Sequence, residues 1–113
     1  MLTIYHNPRC GKSRQTLKII HDSGQDANVV EYLKTSPDFD TLKGLYEKLG
    51  MAPEQLIRKG ETIYKEKYKG QSLTDDEWIQ AMVEHPILIE RPIVVKNEKA
   101  ILGRPPENVE ALL

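Results

Sequence analysis

The chain has 113 residues, 39% hydrophobic and 29% charged, the profile of one ordinary globular domain with a single core. Its 16 Lys and Arg against 17 Asp and Glu give a net charge of −1, which argues against nucleic-acid binding or a polybasic membrane surface and still leaves room for a local basic pocket. No purely apolar run exceeds Ile87-Leu88-Ile89, too short for a membrane span, and the start Met1-Leu2-Thr3-Ile4-Tyr5 lacks the basic and apolar regions of a signal peptide. The cytoplasm is therefore the expected location.

Leu2 to Tyr5 alternates apolar and polar residues and predicts a short strand. His6-Asn7-Pro8-Arg9 is a loop in which Pro8 delays the next helix. That helix is predicted from Gly11 to Ser23, with Leu17 and Ile20 at helical spacing and Gly24 as its stop. Val29 to Leu33 is rich in β-branched and aromatic residues and predicts a second strand, closing a right-handed β-α-β unit.

The middle of the chain, about residues 36–86, reads as a helical insert. Ser36 and Pro37 resemble an N-cap followed by a first-position proline, and Phe39, Leu42, Leu45, Tyr46 and Leu49 form one apolar stripe ended by Gly50. Pro53 opens a shorter helix through Leu56 and Ile57. Lys65 to Lys69 reads as a solvated segment. Thr74-Asp75-Asp76-Glu77 is a capping box ahead of Trp78, Ile79, Met82 and Val83, and Pro86 stops that helix. Pro92 to Val95 and Lys99 to Leu102 then predict two antiparallel strands around Asn97-Glu98, before a terminal helix started by Pro105 and Pro106. The order β-α-β, helical insert, β-β-α is the plan of a thioredoxin-like α/β fold, here a single domain over residues 1–113.

The chain contains one cysteine, Cys10. An internal disulfide is impossible, a Cys-rich zinc site is excluded, and redox chemistry at Cys10 must take its second thiol from another molecule. Cys10 lies where a strand hands over to a helix N-terminus, whose free N–H groups and partial positive charge favour the nucleophilic thiolate. Arg9, Lys12, Arg14 and His6 add to this setting. A lone cysteine is otherwise most often a small buried apolar residue, and the strand-loop-helix context is what favours the reactive reading.

Three related motifs fail on one residue each. A phosphate-binding loop ending in Gly11-Lys12-Ser13 needs glycine where His6 stands. A phosphatase Cys-x5-Arg loop needs arginine where Thr16 stands, and a dithiol oxidoreductase needs cysteine where Ser13 stands. His6 and Cys10 without convergent partners do not suggest a metal site. What remains is a monothiol Cys10-Gly11-Lys12-Ser13 site whose helix N-terminus can also hold an oxyanion.

Tyr5-His6-Asn7-Pro8-Arg9-Cys10-Gly11-Lys12-Ser13-Arg14 resembles the start of the glutaredoxin-coupled arsenate reductases, the ArsC/Spx superfamily. The resemblance continues through Leu56-Ile57-Arg58-Lys59, His85 to Val95, and Gly103-Arg104-Pro105-Pro106-Glu107, in matching order and spacing. The chain ends just after the last predicted helix, as in a short arsenate-reductase-like branch. The resemblance implies a thioredoxin-like fold with a helical insert. It implies Cys10 as the attacking thiolate, His6 as a group that helps depress its pKa, and Arg58, Arg91 and Arg104 as oxyanion-binding arginines. Pro92 matches the cis-proline of thioredoxin-like sites, with Gly11 and Ser13 completing the thiol loop. Glutathione as co-substrate and glutaredoxin as reductant are implied, with arsenate or a similar oxyanion as substrate and no bound cofactor or metal.

Residue patterning alone does not separate these three arginines from Arg9 or Arg14. Arg91 and Arg104, however, sit at strand boundaries beside Pro92 and Pro105, where such a sheet aims them toward the Cys10 end, and a planar fork suits a tetrahedral oxyanion. Two other functions stay open at this point. One is a monothiol oxidoreductase that deglutathionylates proteins. The other is a non-enzymatic Spx-like regulator that binds RNA polymerase, a reading weakened by Ser13, because that branch carries Cys-x-x-Cys.

Overall fold

The computed structural model describes residues 2–113. They form two compact units, the first made of residues 2–35 and Arg91–Leu113, the second of Ser36–Glu90.

The first unit is a four-stranded sheet with strand order β2-β1-β3-β4, formed by β1 (Leu2–His6), β2 (Ala27–Glu31), β3 (Ile93–Lys96) and β4 (Lys99–Leu102). β1 is central. It pairs parallel with β2, Leu2 opposite Ala27, and antiparallel with β3, Ile4 opposite Val94. The alternation of β1 carries through to burial, with Leu2, Ile4 and His6 buried and Thr3 and Tyr5 half-buried. Helix α1 (Gly11–Asp22) and the terminal 3₁₀ turn Pro106–Leu112 pack on one another. Leu2, Ile4, Ile20, Val94, Val109 and Leu112 make one buried apolar cluster, with Leu17, Ile101 and Leu113 against it. The arrangement is α/β and thioredoxin-like, as its element order predicts.

The second unit is helical: α2 (Phe39–Leu49), a 3₁₀ turn at Pro53–Leu56, α3 (Thr62–Lys67), α4 (Asp75–Glu84) and a 3₁₀ turn at Pro86–Leu88. Leu42, Leu45 and Tyr46 of α2 are buried, as are Trp78, Ile79, Ala81 and Met82 of α4, and the two helices pack together. The capping box at Thr74 is formed in both directions, Thr74 N–H donating to Glu77 Oε1 at 2.9 Å and Glu77 N–H to Thr74 Oγ1 at 3.2 Å.

The structure moves several sequence boundaries, each for a local reason. The cap of α2 is Asp38, not Ser36: its Oδ1 accepts from Thr41 N–H at 2.8 Å, and Pro37 precedes the cap rather than following it. β2 starts at Ala27 and ends at Glu31, two residues ahead of the expected Val29 to Leu33, because pairing with β1 fixes its register. Tyr32 lies just past it and is fully buried, while Leu33 is exposed. The segment read as solvated, Lys65 to Lys69, overlaps the end of α3, a helix that has no buried residue and hence no apolar stripe to announce it. β3 starts at Ile93, one residue after Pro92, which has no N–H to give the ladder. The terminal helix is 3₁₀ throughout. The helical unit runs past Pro86 to Glu90, held by Glu90 N–H donating to Leu56 O and Arg58 N–H to Leu88 O, both at 2.8 Å, on either side of an Ile57–Ile89 bridge.

Gly103, just after β4, is required by space. A Cβ there comes within 2.7 Å of both Pro92 Cγ and Thr16 Oγ1. Gly103→Ala is therefore expected to destabilise the fold by about 1–3 kcal/mol, as overpacking does, measured by urea unfolding. A change under about 0.5 kcal/mol contradicts the close approach.

Candidate active site

β1 delivers His6 to the sheet end, the loop Asn7–Arg9 turns the chain, and Cys10 becomes the N-cap of α1, with φ −94° and ψ 122°. Cys10 N–H donates to Asn7 O and Arg14 N–H to Cys10 O, both at 3.0 Å, so the thiol-bearing residue is the hinge between turn and helix. The residue is buried, 8% exposed.

Ser13 holds this loop from within. Its Oγ accepts from Asn7 N–H at 3.1 Å and lies 2.6 Å from His6 Nδ1. His6 is held below its ordinary pKa, first by burial and then, against the pull of Glu31, by the charge of Arg14. Burial thus favours the neutral imidazole, which pairs through Nδ1 with the Ser13 hydroxyl. His6 pairs with Ser13 and is not among the causes that lower the Cys10 thiol. From outside, Arg14 Nη1 donates to Pro8 O at 3.0 Å, and Asn7 Oδ1 accepts from Arg9 N–H at 3.0 Å. Space does not require glycine at Gly11, where a Cβ meets only Arg14 Nη2 at an ordinary 3.8 Å.

The other side of the thiol comes from the C-terminal part of the chain. The Arg91–Pro92 and Arg104–Pro105 peptides are both cis. Arg104 Nη2 lies 3.6 Å from Cys10 Sγ, and Arg104 Nε donates to Arg91 O at 2.7 Å. Arg91, half-buried, places its guanidinium against both Cys10 and Tyr32, and these two partners raise its pKa although burial opposes the charge. Cys10 and Arg91 favour each other's charged forms. Burial pushes the Cys10 thiol up, but the Ser13 N–H, the Arg91 guanidinium and the Lys12 N–H together bring it below its ordinary value.

Of the residues singled out in the sequence, Cys10, Arg91, Arg104, Pro92, Gly11, Ser13 and His6 all belong to the first unit, and the first three converge at the sulfur. Arg58 belongs to the second unit, where Nη1 donates to Glu90 Oε1 at 2.7 Å and Nε to Glu61 Oε2 at 3.3 Å. The side-chain charges of Arg9, Lys12 and Arg14 are not among the causes that lower the thiol, contrary to the sequence expectation; that work falls to Arg91 and two backbone N–H groups. Two contributors had no sequence signal. Tyr32 reads only as a strand residue, yet it faces Arg91. Asn108 Nδ2 donates to Leu102 O at 3.2 Å and Arg104 O at 3.1 Å, fixing the backbone that carries Arg104.

The lowered thiol gives a direct expectation. Alkylation of Cys10 with iodoacetamide follows the thiolate fraction, so its pH midpoint lies below that of a free cysteine, about 8.5. Arg91→Gln moves it upward. A midpoint at or above the free-thiol value contradicts the site.

Among the described residues no three His, Cys, Asp or Glu side chains group to hold a metal ion, and no helix is long and apolar enough to cross a membrane.

The sequence profile of the ArsC family matches residues 5–112. The chain belongs to the ArsC family. The arsenate reductase of Neisseria meningitidis serogroup A is 45% identical over 114 residues, covering 99% of this chain and 97% of its own. The Escherichia coli K12 protein YfgD, named as uncharacterized, is 51% identical over 108 residues, 94% of this chain and 91% of its own. The solved arsenate reductase from Vibrio cholerae superposes with a TM-score of 0.95 at 49% identity, covering 99% of this chain and 97% of that one. The ArsC fold thus supplies the frame, and the cysteine–arginine cluster lies at one end of its sheet.

Proposed function

We propose that this ArsC protein is a cytoplasmic arsenate reductase that draws its electrons from glutathione and glutaredoxin. The Cys10 thiolate attacks arsenic(V), an As–O bond breaks with loss of water, and a Cys10–S–As(V) adduct forms. Glutathione then attacks the Cys10 sulfur. The S–As bond breaks, its electron pair stays on arsenic, arsenite leaves as As(III), and a Cys10–glutathione mixed disulfide remains. Glutaredoxin takes the glutathionyl group and returns Cys10 to the thiol.

One observation carries this reading: two guanidinium groups, Arg91 and Arg104, meet at the sulfur of the single cysteine, with Arg104 Nη2 at 3.6 Å. Arginines at a nucleophilic sulfur supply planar donors for a tetrahedral oxyanion and oppose the charge that builds on oxygen during attack. We assign Arg58, gripped by Glu61 and Glu90, as the third oxyanion arginine on the strength of the motif it shares with the family. His6 serves as a positioning residue that sets Ser13 and, through it, the Asn7–Cys10 turn.

The test is purified protein with arsenate, glutathione, glutaredoxin and an NADPH-coupled recycling system. Arsenite formed in step with NADPH oxidation, and lost when glutathione or glutaredoxin is left out, supports the reading. Deglutathionylation of protein substrates without arsenite overturns it.

A further inference from the structure

The residues that stabilise the Cys10 thiolate leave the flanking cations without a task. Arg9 and Lys12 are exposed, and neither forms an ion pair among the described residues. Arg14 is exposed too, yet its guanidinium is fixed: Nη1 bonds Pro8 O and Nη2 lies 3.8 Å from the Cβ position of Gly11, so it lies across the thiol loop. The first turn of α1 has no acidic residue. In a chain with more acids than bases, Met1 to His21 contains Arg9, Lys12, Arg14 and Lys18 and not one Asp or Glu. Positive charge is therefore concentrated in this stretch, and the acid that faces the loop from a neighbouring strand is Glu31 of β2, which acts on His6.

We propose that Arg9, Lys12 and Arg14 form a cationic rim that receives the carboxylates of an anionic low-molecular-mass thiol or disulfide reacting at Cys10, a tripeptide such as glutathione. This deepens the proposed function by giving the co-substrate a place. It rests on that reading only in that Cys10 exchanges with an outside thiol. Arg91 and Arg104 face the sulfur, while the rim meets the incoming peptide's charged ends. The rim raises encounter and orientation rather than intrinsic nucleophilicity, because none of its side-chain charges is among the causes that lower the thiol.

The test uses thiol–disulfide exchange and needs no arsenate. Cys10 thiolate attacks one sulfur of oxidised glutathione, a Cys10–S–S bond forms, the original S–S bond breaks, and glutathione thiolate leaves. The rate is compared with that for bis(2-hydroxyethyl) disulfide, which is uncharged, in the wild type and in Arg9→Gln, Lys12→Gln and the double variant. Arg14 is left in place because it holds the loop, and Lys12→Gln keeps the backbone N–H that favours the thiolate. The ratio of the charged to the uncharged rate is expected to fall roughly threefold to tenfold in the double variant, the scale of two exposed charge contacts. Added salt lowers the wild-type ratio toward that of the variant. A ratio unchanged by the substitutions, or two rates that fall together, overturns the rim even where arsenate is turned over. A falling ratio supports it even where arsenate is not.

Discussion

Cys10→Ser eliminates arsenate reduction, with a loss on the order of 10³-fold or more, and leaves far-UV circular dichroism and the unfolding midpoint close to wild type. The size follows from chemistry. A serine hydroxyl is a far weaker nucleophile without an adjacent base, and the neutral His6 that could act as one is held on Ser13. No other thiol can substitute, since the chain has one cysteine. The fold survives because Cys10 contributes an N-cap backbone rather than a side-chain cap, and serine there still permits the turn and can itself cap. Substantial arsenite production by the serine variant, with glutathione and glutaredoxin present, refutes Cys10 as the attacking group.

Arg104→Ala is expected to lower kcat/KM for arsenate by tens- to several-hundred-fold, about 2–4 kcal/mol of transition-state stabilisation. One guanidinium makes two contacts at once, Nε to Arg91 O at 2.7 Å and Nη2 to Cys10 Sγ at 3.6 Å. Its loss removes a charge at the sulfur and loosens the residue that carries the second arginine. Arg104→Lys does not restore activity, because a single ammonium cannot span both contacts. Arg91→Ala has an effect of similar size and also raises the Cys10 pKa, separating the two arginines by pH profile. Arg9→Ala, assayed at saturating glutathione, is the milder comparison. Equal losses at Arg9, Arg91 and Arg104 remove the special standing of the latter two.

The strands, α1, α2 and α4 announced themselves through apolar period, proline punctuation and the Thr74 capping box, which are local properties. What stayed hidden depends on partners distant in the chain. The register of β2 is set by β1. The short polar helix α3 buries nothing and so has no periodic signature. At the site, the strand-to-helix position of Cys10 was legible from its neighbours, and the family motif pointed to Arg91 and Arg104. The residue patterning did not show the charge at the thiol: proximity in sequence favoured Arg9, Lys12 and Arg14, whereas the guanidiniums at the sulfur are those of Arg91, which lowers the thiol, and Arg104. Ser13, noted first as the residue that breaks a dithiol motif, holds the loop through its hydroxyl. Asn108 and Tyr32 carry no pattern at all, since each matters only through a backbone carbonyl or a guanidinium met in the folded state.

The separation of Cys10 from Arg104 by 94 positions, spanned by the whole helical unit, also bears on the order in which the protein is made. A ribosome adds residues from the N-terminus at roughly 5–20 per second, so the thiol emerges many seconds of chain growth before either arginine. β1 can find β2 early, but its other neighbour, β3, arrives only near the end. The unfinished chain therefore exposes a cysteine that lacks its guanidinium partners. Full arming of the sulfur coincides with completing the sheet, and truncated translation products carry a thiol without its guanidinium partners.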